Sequence, residues 1–248
     1  MQRFKNKIVV ITGAGSGIGR STALRLDSEG AEILLIDKNQ EDLSTTKQML
    51  NNNNSSEHVV DISSITSTKK FFDDLEKNYK RLDALINIAG ILRFDNSHEV
   101  EIENWNQILE VNLTGTFFMC SYALPLLLES KGAIVNVSST AALGAHAWTA
   151  AYSASKGGIS AFSKTLAVEY GMKGLNINCV CPASIETPMS SSPLMPKDID
   201  TRLLKKIMPL DGVNRSPDDI ASTIAFLASD DAIHINGIDL RVDGGLLT

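Results

Sequence analysis

Cysteine is scarce in this chain, and what there is does not pair. Cys120, Cys179 and Cys181 are three in 248 residues, an odd set that excludes a disulfide framework and suits a reducing cytoplasm. Cys179 and Cys181 share one apolar run without the further ligands a zinc site needs, so no metal is expected. A basic excess is missing too: Lys and Arg number 23 against 29 Asp and Glu, a net charge of −6. That excludes the basic face of a protein that tracks nucleic-acid phosphates. No apolar run approaches the roughly 18 residues that span a bilayer, and the polar stretch Met1–Lys7 does not resemble a signal peptide. The expectation is a cytoplasmic protein with no nucleic-acid or membrane partner. No repeat or interdomain linker breaks the chain. With 43% apolar and 21% charged residues, residues 1–248 read as one domain large enough to bury a sizeable core.

Short β-branched runs alternate with longer amphipathic segments, the pattern of βα units around a parallel sheet. Strands are predicted at 7–12, 31–37, 57–60, 83–87, 133–138, 175–180 and 238–241. Several are apolar almost throughout, as when helices cover both faces of a doubly wound α/β domain. Helices are predicted at 17–29, 40–52, 63–79, 102–129, 150–171 and 217–228. Asp42, Ser63 and Ser216-Pro217 read as helix starts, and Gly171 or Gly174 as a stop. Residues 51–54, four consecutive asparagines, read as a mobile turn.

The first strand ends at Thr12 and runs into Gly13-Ala14-Gly15-Ser16-Gly17-Ile18-Gly19 where a helix should open. Glycines at such a turn let backbone N–H groups approach a pyrophosphate at the positive end of the helix. The spacing does not satisfy G-x-G-x-x-G in any register. Asp37 closes the second strand, where a carboxylate accepts hydrogen bonds from an adenosine ribose and repels a 2′-phosphate. Lys38 beside it has the sign that would serve such a phosphate.

Tyr152 precedes Lys156 by one helical turn, on the same helix face. A free phenol with a pKa near 10 is a poor acid/base at neutral pH, and a neighbouring ammonium favours its phenolate. Ser139, at the end of the fifth strand, lies upstream. Together, and in this order, the glycine turn, Asn87-Ile88-Ala89-Gly90, Asn112, Ser139 and Tyr152-x-x-x-Lys156 resemble the short-chain dehydrogenase/reductase family. The resemblance runs from about Lys7 to Asp243-Gly244-Gly245. It implies a seven-stranded sheet of order 3-2-1-4-5-6-7, an NAD cofactor and hydride exchange with a secondary alcohol or ketone.

By the same resemblance, Tyr152 is the proton donor and acceptor, and Lys156 stabilises its phenolate and binds the nicotinamide ribose. Ser139 bonds the substrate oxygen, and Asn112, interrupting the long 102–129 helix, holds a relay water near the lysine. Ser138 should point away from the site if the strand geometry persists. Cofactor contacts fall on Gly13, Ser16, Gly17, Ile18, Gly19, Asp37, Asp61, Ile62, Asn87, Ala89 and Gly90, on Tyr152 and Lys156, and on Pro182, Ile185 and Thr187. Ile88 and Ala183 replace the family's second Asn and a glycine, and Ala183 should keep φ below zero. Substrate contacts fall on Ser139, Tyr152, Leu92, Trp148 and Met189. Around them lie Phe94, Leu143, Leu194, Met195, Leu204 and Met208, with His146 in the same segment. Residues 189–208, with Ser192, Pro193 and an amphipathic piece from Asp198, read as a lid with an apolar underside.

Helices 102–129 and 150–171 carry apolar residues on too many sides for one buried stripe. The family pairs these helices between subunits, so a homotetramer is expected. Two other readings stay open: a 3-oxoacyl-thioester reductase, and a non-catalytic nucleotide-binding protein of the same fold. Asp37 and the net charge speak against the first, and the intact Ser139/Tyr152/Lys156 set against the second.

Overall fold

The computed structural model describes residues 2–191, 195–197 and 199–248. Ser192, Pro193, Leu194 and Asp198, assigned above to the lid, lie outside the described residues. The strands are β1 (Ile8–Thr12), β2 (Glu32–Asp37), β3 (Ser56–Val59), β4 (Ala84–Asn87), β5 (Ala133–Val137), β6 (Asn176–Pro182) and β7 (Asp239–Val242). They form one sheet in the predicted order β3-β2-β1-β4-β5-β6-β7, every neighbouring pair parallel.

Successive side chains of a strand face opposite sides, and here both sides are covered. Val9 and Ile11 of β1 pack with Leu26 of α1 (Gly17–Ser28) and with Ile220, Ile224 and Leu227 of α7 (Pro217–Leu227). Val10 turns the other way. It joins Phe72 and Leu75 of α3 (Ile65–Asn78), Leu127 of α5 (Thr116–Ser130) and Leu166 of α6 (Ala150–Gly171). This two-sided burial is why the strands read as continuous apolar runs rather than alternating ones. The chain winds in opposite directions from the β1–β4 junction, so a crevice opens at the carboxyl ends of these strands.

Several boundaries differ from expectation. Asn39, not Asp42, caps α2 (Gln40–Gln48), its side chain accepting from the Glu41 and Asp42 N–H groups. Ser64, not Ser63, caps α3, whereas Ser216 with Pro217 opens α7 as predicted. The asparagine turn is pinned rather than mobile: Asn51 and Asn52 donate backbone N–H bonds of 2.9 Å to the buried Asp27 carboxylate. The 102–129 helix is three pieces, α4 (Ile102–Ile108), a π-helical turn (Leu109–Gly115) and α5. The whole Ile102–Ser130 stretch is long and apolar enough to cross a membrane by length and composition, but half of its most apolar window is buried inside the protein.

Candidate active site

One cavity of about 590 Å³ occupies the crevice and extends from Asp37 to Tyr152 and Ile207. Gly13 and Gly17 adopt left-handed backbone with φ of 68° and 49°. A Cβ on Gly13 would stand 2.8 Å from the Ala89 nitrogen, so only glycine lets these loops approach so closely. Thr12 fastens the same junction, its hydroxyl oxygen accepting from the Ile88 and Ala89 N–H groups at 3.1 and 3.2 Å. Ser16 stands at the N-cap of α1 but makes no side-chain capping bond. The first-turn N–H groups of α1 are thus left without a side-chain acceptor beside the cavity, which fits the pyrophosphate of a dinucleotide. Gly13, Ser16, Gly17 and Ile18 line the cavity. Gly19 does not: a Cβ there would lie 1.9 Å from the Gly13 carbonyl oxygen, so its place is in packing the turn.

Asp37 reaches the cavity from the end of β2 and accepts from the Gly15 and Asn39 N–H groups, each at 3.1 Å. Those bonds hold its carboxylate against the glycine turn. Asp61 and Ile62 line the wall beyond it, and one Asp61 oxygen is held by the Ser63 hydroxyl at 2.6 Å. Ala89, Gly90, Pro182, Ile185 and Thr187 also face the cavity. The φ of Ala183 is not positive, as expected. Ser190 ties the last loop together, donating to the Ile185 carbonyl at 2.5 Å and accepting from the Thr187 N–H at 3.0 Å.

Asn87 departs from its predicted place. Opposite Asn136 in the β4–β5 register, it is buried and donates to the Asn136 side-chain oxygen at 2.8 Å. Asn136 donates onward to Ser163 on α6, also at 2.8 Å. Asn87 therefore joins β4, β5 and α6 beneath the site instead of lining it.

Asn112 sits in the π turn with both side-chain atoms bonded to protein. Its oxygen accepts from Ile91 N–H at 2.8 Å, and its amide donates to the Ile91 carbonyl at 2.9 Å and to Ser155 at 3.1 Å. The Ser155 hydroxyl donates in turn to the Tyr152 carbonyl at 2.7 Å. The asparagine thus clamps the loop after β4 to the turn that carries Tyr152. Gly115 closes the π turn because a Cβ there would stand 2.7 Å from the Ile62 carbonyl oxygen.

Ser139, Tyr152 and Lys156 converge on the cavity. Ser139 follows β5, is buried, and its hydroxyl oxygen accepts from Ala141 N–H at 3.1 Å. The Ser138 hydroxyl turns to α6, donating to the Lys156 carbonyl at 2.9 Å, while the residue still borders the cavity. The ammonium of Lys156 donates to the Val137 carbonyl at 2.7 Å and lies 5.7 Å from the centre of the Tyr152 ring. Burial pushes its pKa down to about 8. Burial also raises the Tyr152 pKa, against a smaller lowering by the Ser139 hydroxyl. In this structure the ammonium engages Val137 and the ring rather than the phenol oxygen, and desolvation favours the neutral phenol.

Leu92 and Met189 line the substrate end as predicted, with Phe94 and His146. Trp148 does not line the cavity; its backbone turns left-handed at φ 64°, and its neighbours His146 and Thr149 reach the wall instead. Sequence reasoning missed Gln107, Glu110 and Val111, which also line the cavity. Their spacing of three and four places them on one helix face just before Asn112, a signal that was available.

A family model described as enoyl-(acyl carrier protein) reductase matches residues 13–247. The meso-2,3-butanediol dehydrogenase of Serratia marcescens is 36% identical over 243 residues, 98% of this chain and 95% of that protein. The 3beta-hydroxysteroid dehydrogenase of Mediterraneibacter gnavus is 35% identical over 270 residues, covering 100% and 97%. A short chain dehydrogenase from Mycobacterium paratuberculosis, solved bound to NAD, superposes with a TM-score of 0.90 at 27% identity over 98% of each chain.

Proposed function

The chain belongs to the short-chain dehydrogenase/reductase family and is an oxidoreductase of CH–OH groups, and we propose that it exchanges hydride between NAD(H) and a secondary alcohol or ketone of apolar character. The observation that carries this reading is one cavity that has Asp37 at one end and buried Ser139 and half-buried Tyr152 at the other, with buried Lys156 behind them. When bound, NAD supplies the hydride acceptor, and NADH the donor.

The chain's own residues do the rest. Gly13, Ser16, Gly17 and Ile18 hold the pyrophosphate, and Asp37 holds the adenosine ribose and disfavours a 2′-phosphate. Asp61 and Ile62 border the adenine, and Ala89, Gly90, Lys156, Pro182, Ile185 and Thr187 hold the nicotinamide half. Ser139 donates to the substrate oxygen. Tyr152 takes the hydroxyl proton during oxidation and returns it to the carbonyl oxygen during reduction. A phenol kept neutral by burial is ready for the reductive direction; oxidation requires its deprotonation first.

Leu92, Phe94, Met189 and Ile207 give the substrate end an apolar wall, which suits hydrophobic ketones and alcohols better than free sugars. Met189 and Ile207 belong to the segment for which a lid is proposed. The relatives act on both a small diol and a steroid by their names. A relative named 3-oxoacyl-(acyl-carrier-protein) reductase, from Thermotoga maritima and 33% identical over 99% of each chain, favours the thioester ketone as a second substrate class, against which Asp37 and the net charge of −6 stand. Association as a homotetramer would cover Phe117, Val168 and Met172 on and beside α5 and α6, which are 40%, 81% and 98% exposed in the single chain. The three thiols are free and buried, consistent with a cytoplasmic protein. Absorbance assays with NAD and NADH on a panel of secondary alcohols and ketones test the reading: turnover of apolar members supports it, and no turnover of any member overturns it.

A further inference from the structure

His146 carries a polar atom that the fold leaves without a partner. Its ring lines the cavity that holds Ser139 and Tyr152, yet Nε2 is sealed from solvent and has no hydrogen-bond partner among the described residues. Burial lowers its pKa, so the ring stays neutral and can donate or accept depending on its tautomer.

The loop that carries it is held firmly. Thr149 donates from its hydroxyl to the His146 carbonyl at 3.0 Å, and Asp95 N–H donates to the Trp148 carbonyl at 2.8 Å. Trp148 between them is kept at φ 64°, a backbone that a bulky residue adopts only where its surroundings impose it. A buried polar atom without a partner costs stability, and a constrained loop that retains one beside a cavity is pre-organised for a ligand atom. The aromatic χ2 of histidine is soft, so rotation of the ring brings a nitrogen to the cavity face. Leu92, Phe94, Met189 and Ile207 on the same cavity offer no side-chain hydrogen-bonding group, whereas Gln107, Glu110 and Thr149, which also line it, carry one.

Resting on the dehydrogenase reading above, we infer that the imidazole of His146 recognises a second oxygen of the substrate. The substrate class is then a diol, oxidised at one carbinol to a hydroxy ketone. Ser139 and Tyr152 hold the reacting oxygen and His146 holds the other. His146 is a specificity-determining residue in this scheme and moves no proton of the reaction.

The test compares diols of 1,2-, 1,3- and 1,4-spacing with mono-alcohols of the same carbon skeleton, on the wild type and on His146→Leu. The wild type should show a KM at least tenfold lower for one diol than for its mono-alcohol. His146→Leu should lower kcat/KM for that diol at least tenfold more than for the mono-alcohol. Calorimetric titration of the same diol into Tyr152→Phe protein with NAD present should show binding that His146→Leu weakens in that background. Equal losses for both substrates, or a wild type that prefers no diol, overturns the inference and leaves the dehydrogenase reading standing. Turnover of no alcohol at all overturns both. Should His146→Leu fail to bind NAD and so prove misfolded, the wild-type comparison of KM values decides alone.

Discussion

Lys156 is 4% exposed, and its burial makes a quantitative prediction. Its pKa falls from 10.5 to about 8 on folding, so between those values the unfolded chain binds more protons than the folded one. Stability from this group therefore rises with pH across that window and is at its lowest below pH 8, where the amine is charged in both states. At about 1.4 kcal/mol per pKa unit, the folded protein at pH 7 carries a penalty of about 3 kcal/mol. Lys156→Met keeps an unbranched stem of similar length and removes the charge. It also removes the 2.7 Å bond from the ammonium to the Val137 carbonyl, which offsets about 2 kcal/mol. The cofactor-free variant should thus be more stable than wild type by about 1 kcal/mol at pH 7, while losing activity. Urea unfolding at pH 7 and near pH 10 would show it: the variant's advantage should be clear at pH 7 and should close or reverse at the higher pH. The buried thiols are pushed up to about 11 to 12, and because the Lys156 ammonium lowers the Cys181 pKa their contributions cancel only in part in the difference. A variant less stable at pH 7, or a difference that does not change with pH, would refute the burial reasoning.

Three further outcomes are expected. Asp37→Ala should narrow the preference for NAD over NADP in kcat/KM measured with both cofactors, because it removes both the ribose acceptor and the charge facing a 2′-phosphate; a wild type that prefers NADP counts against the assignment. Gly13→Ala should abolish NAD binding, read by protein fluorescence, since its Cβ would stand 2.8 Å from the Ala89 nitrogen at a φ of 68°; unaltered affinity would show that the turn is not the cradle. Multi-angle light scattering should give about four times the 26.8 kDa chain mass, reduced by Val168→Glu on the exposed face of α6; a 26.8 kDa wild-type particle would exclude the proposed association.

The order of the sheet and the glycine turn were legible because each rests on local chemistry. Strands buried on both faces must be apolar along their length, and a left-handed backbone packed against Ala89 admits little but glycine. The helix 150–171 was legible to the residue because nothing interrupts it. What stayed hidden depends on tertiary partners. Residues 51–54 look mobile until the Asp27 carboxylate, more than twenty residues earlier, is brought against them. Asn87 carries the same side chain whether it faces the cavity or β5, and only the register with Asn136 decides. Trp148 lies beyond any regular element, so no periodicity indicates its direction. The spacing of Tyr152 to Lys156 likewise shows that the two share a helix face, but not that the Val137 carbonyl accepts from the ammonium.

The central claim is that the Tyr152 hydroxyl transfers the proton, and Tyr152→Phe tests it most directly because the ring and its packing remain. On a substrate turned over by the wild type, kcat should fall by about 10³ or more, with the dissociation constant for NAD changed by less than about threefold. A Tyr152→Phe enzyme that keeps ordinary turnover would mean that another group carries the proton, and the account of the site would be wrong.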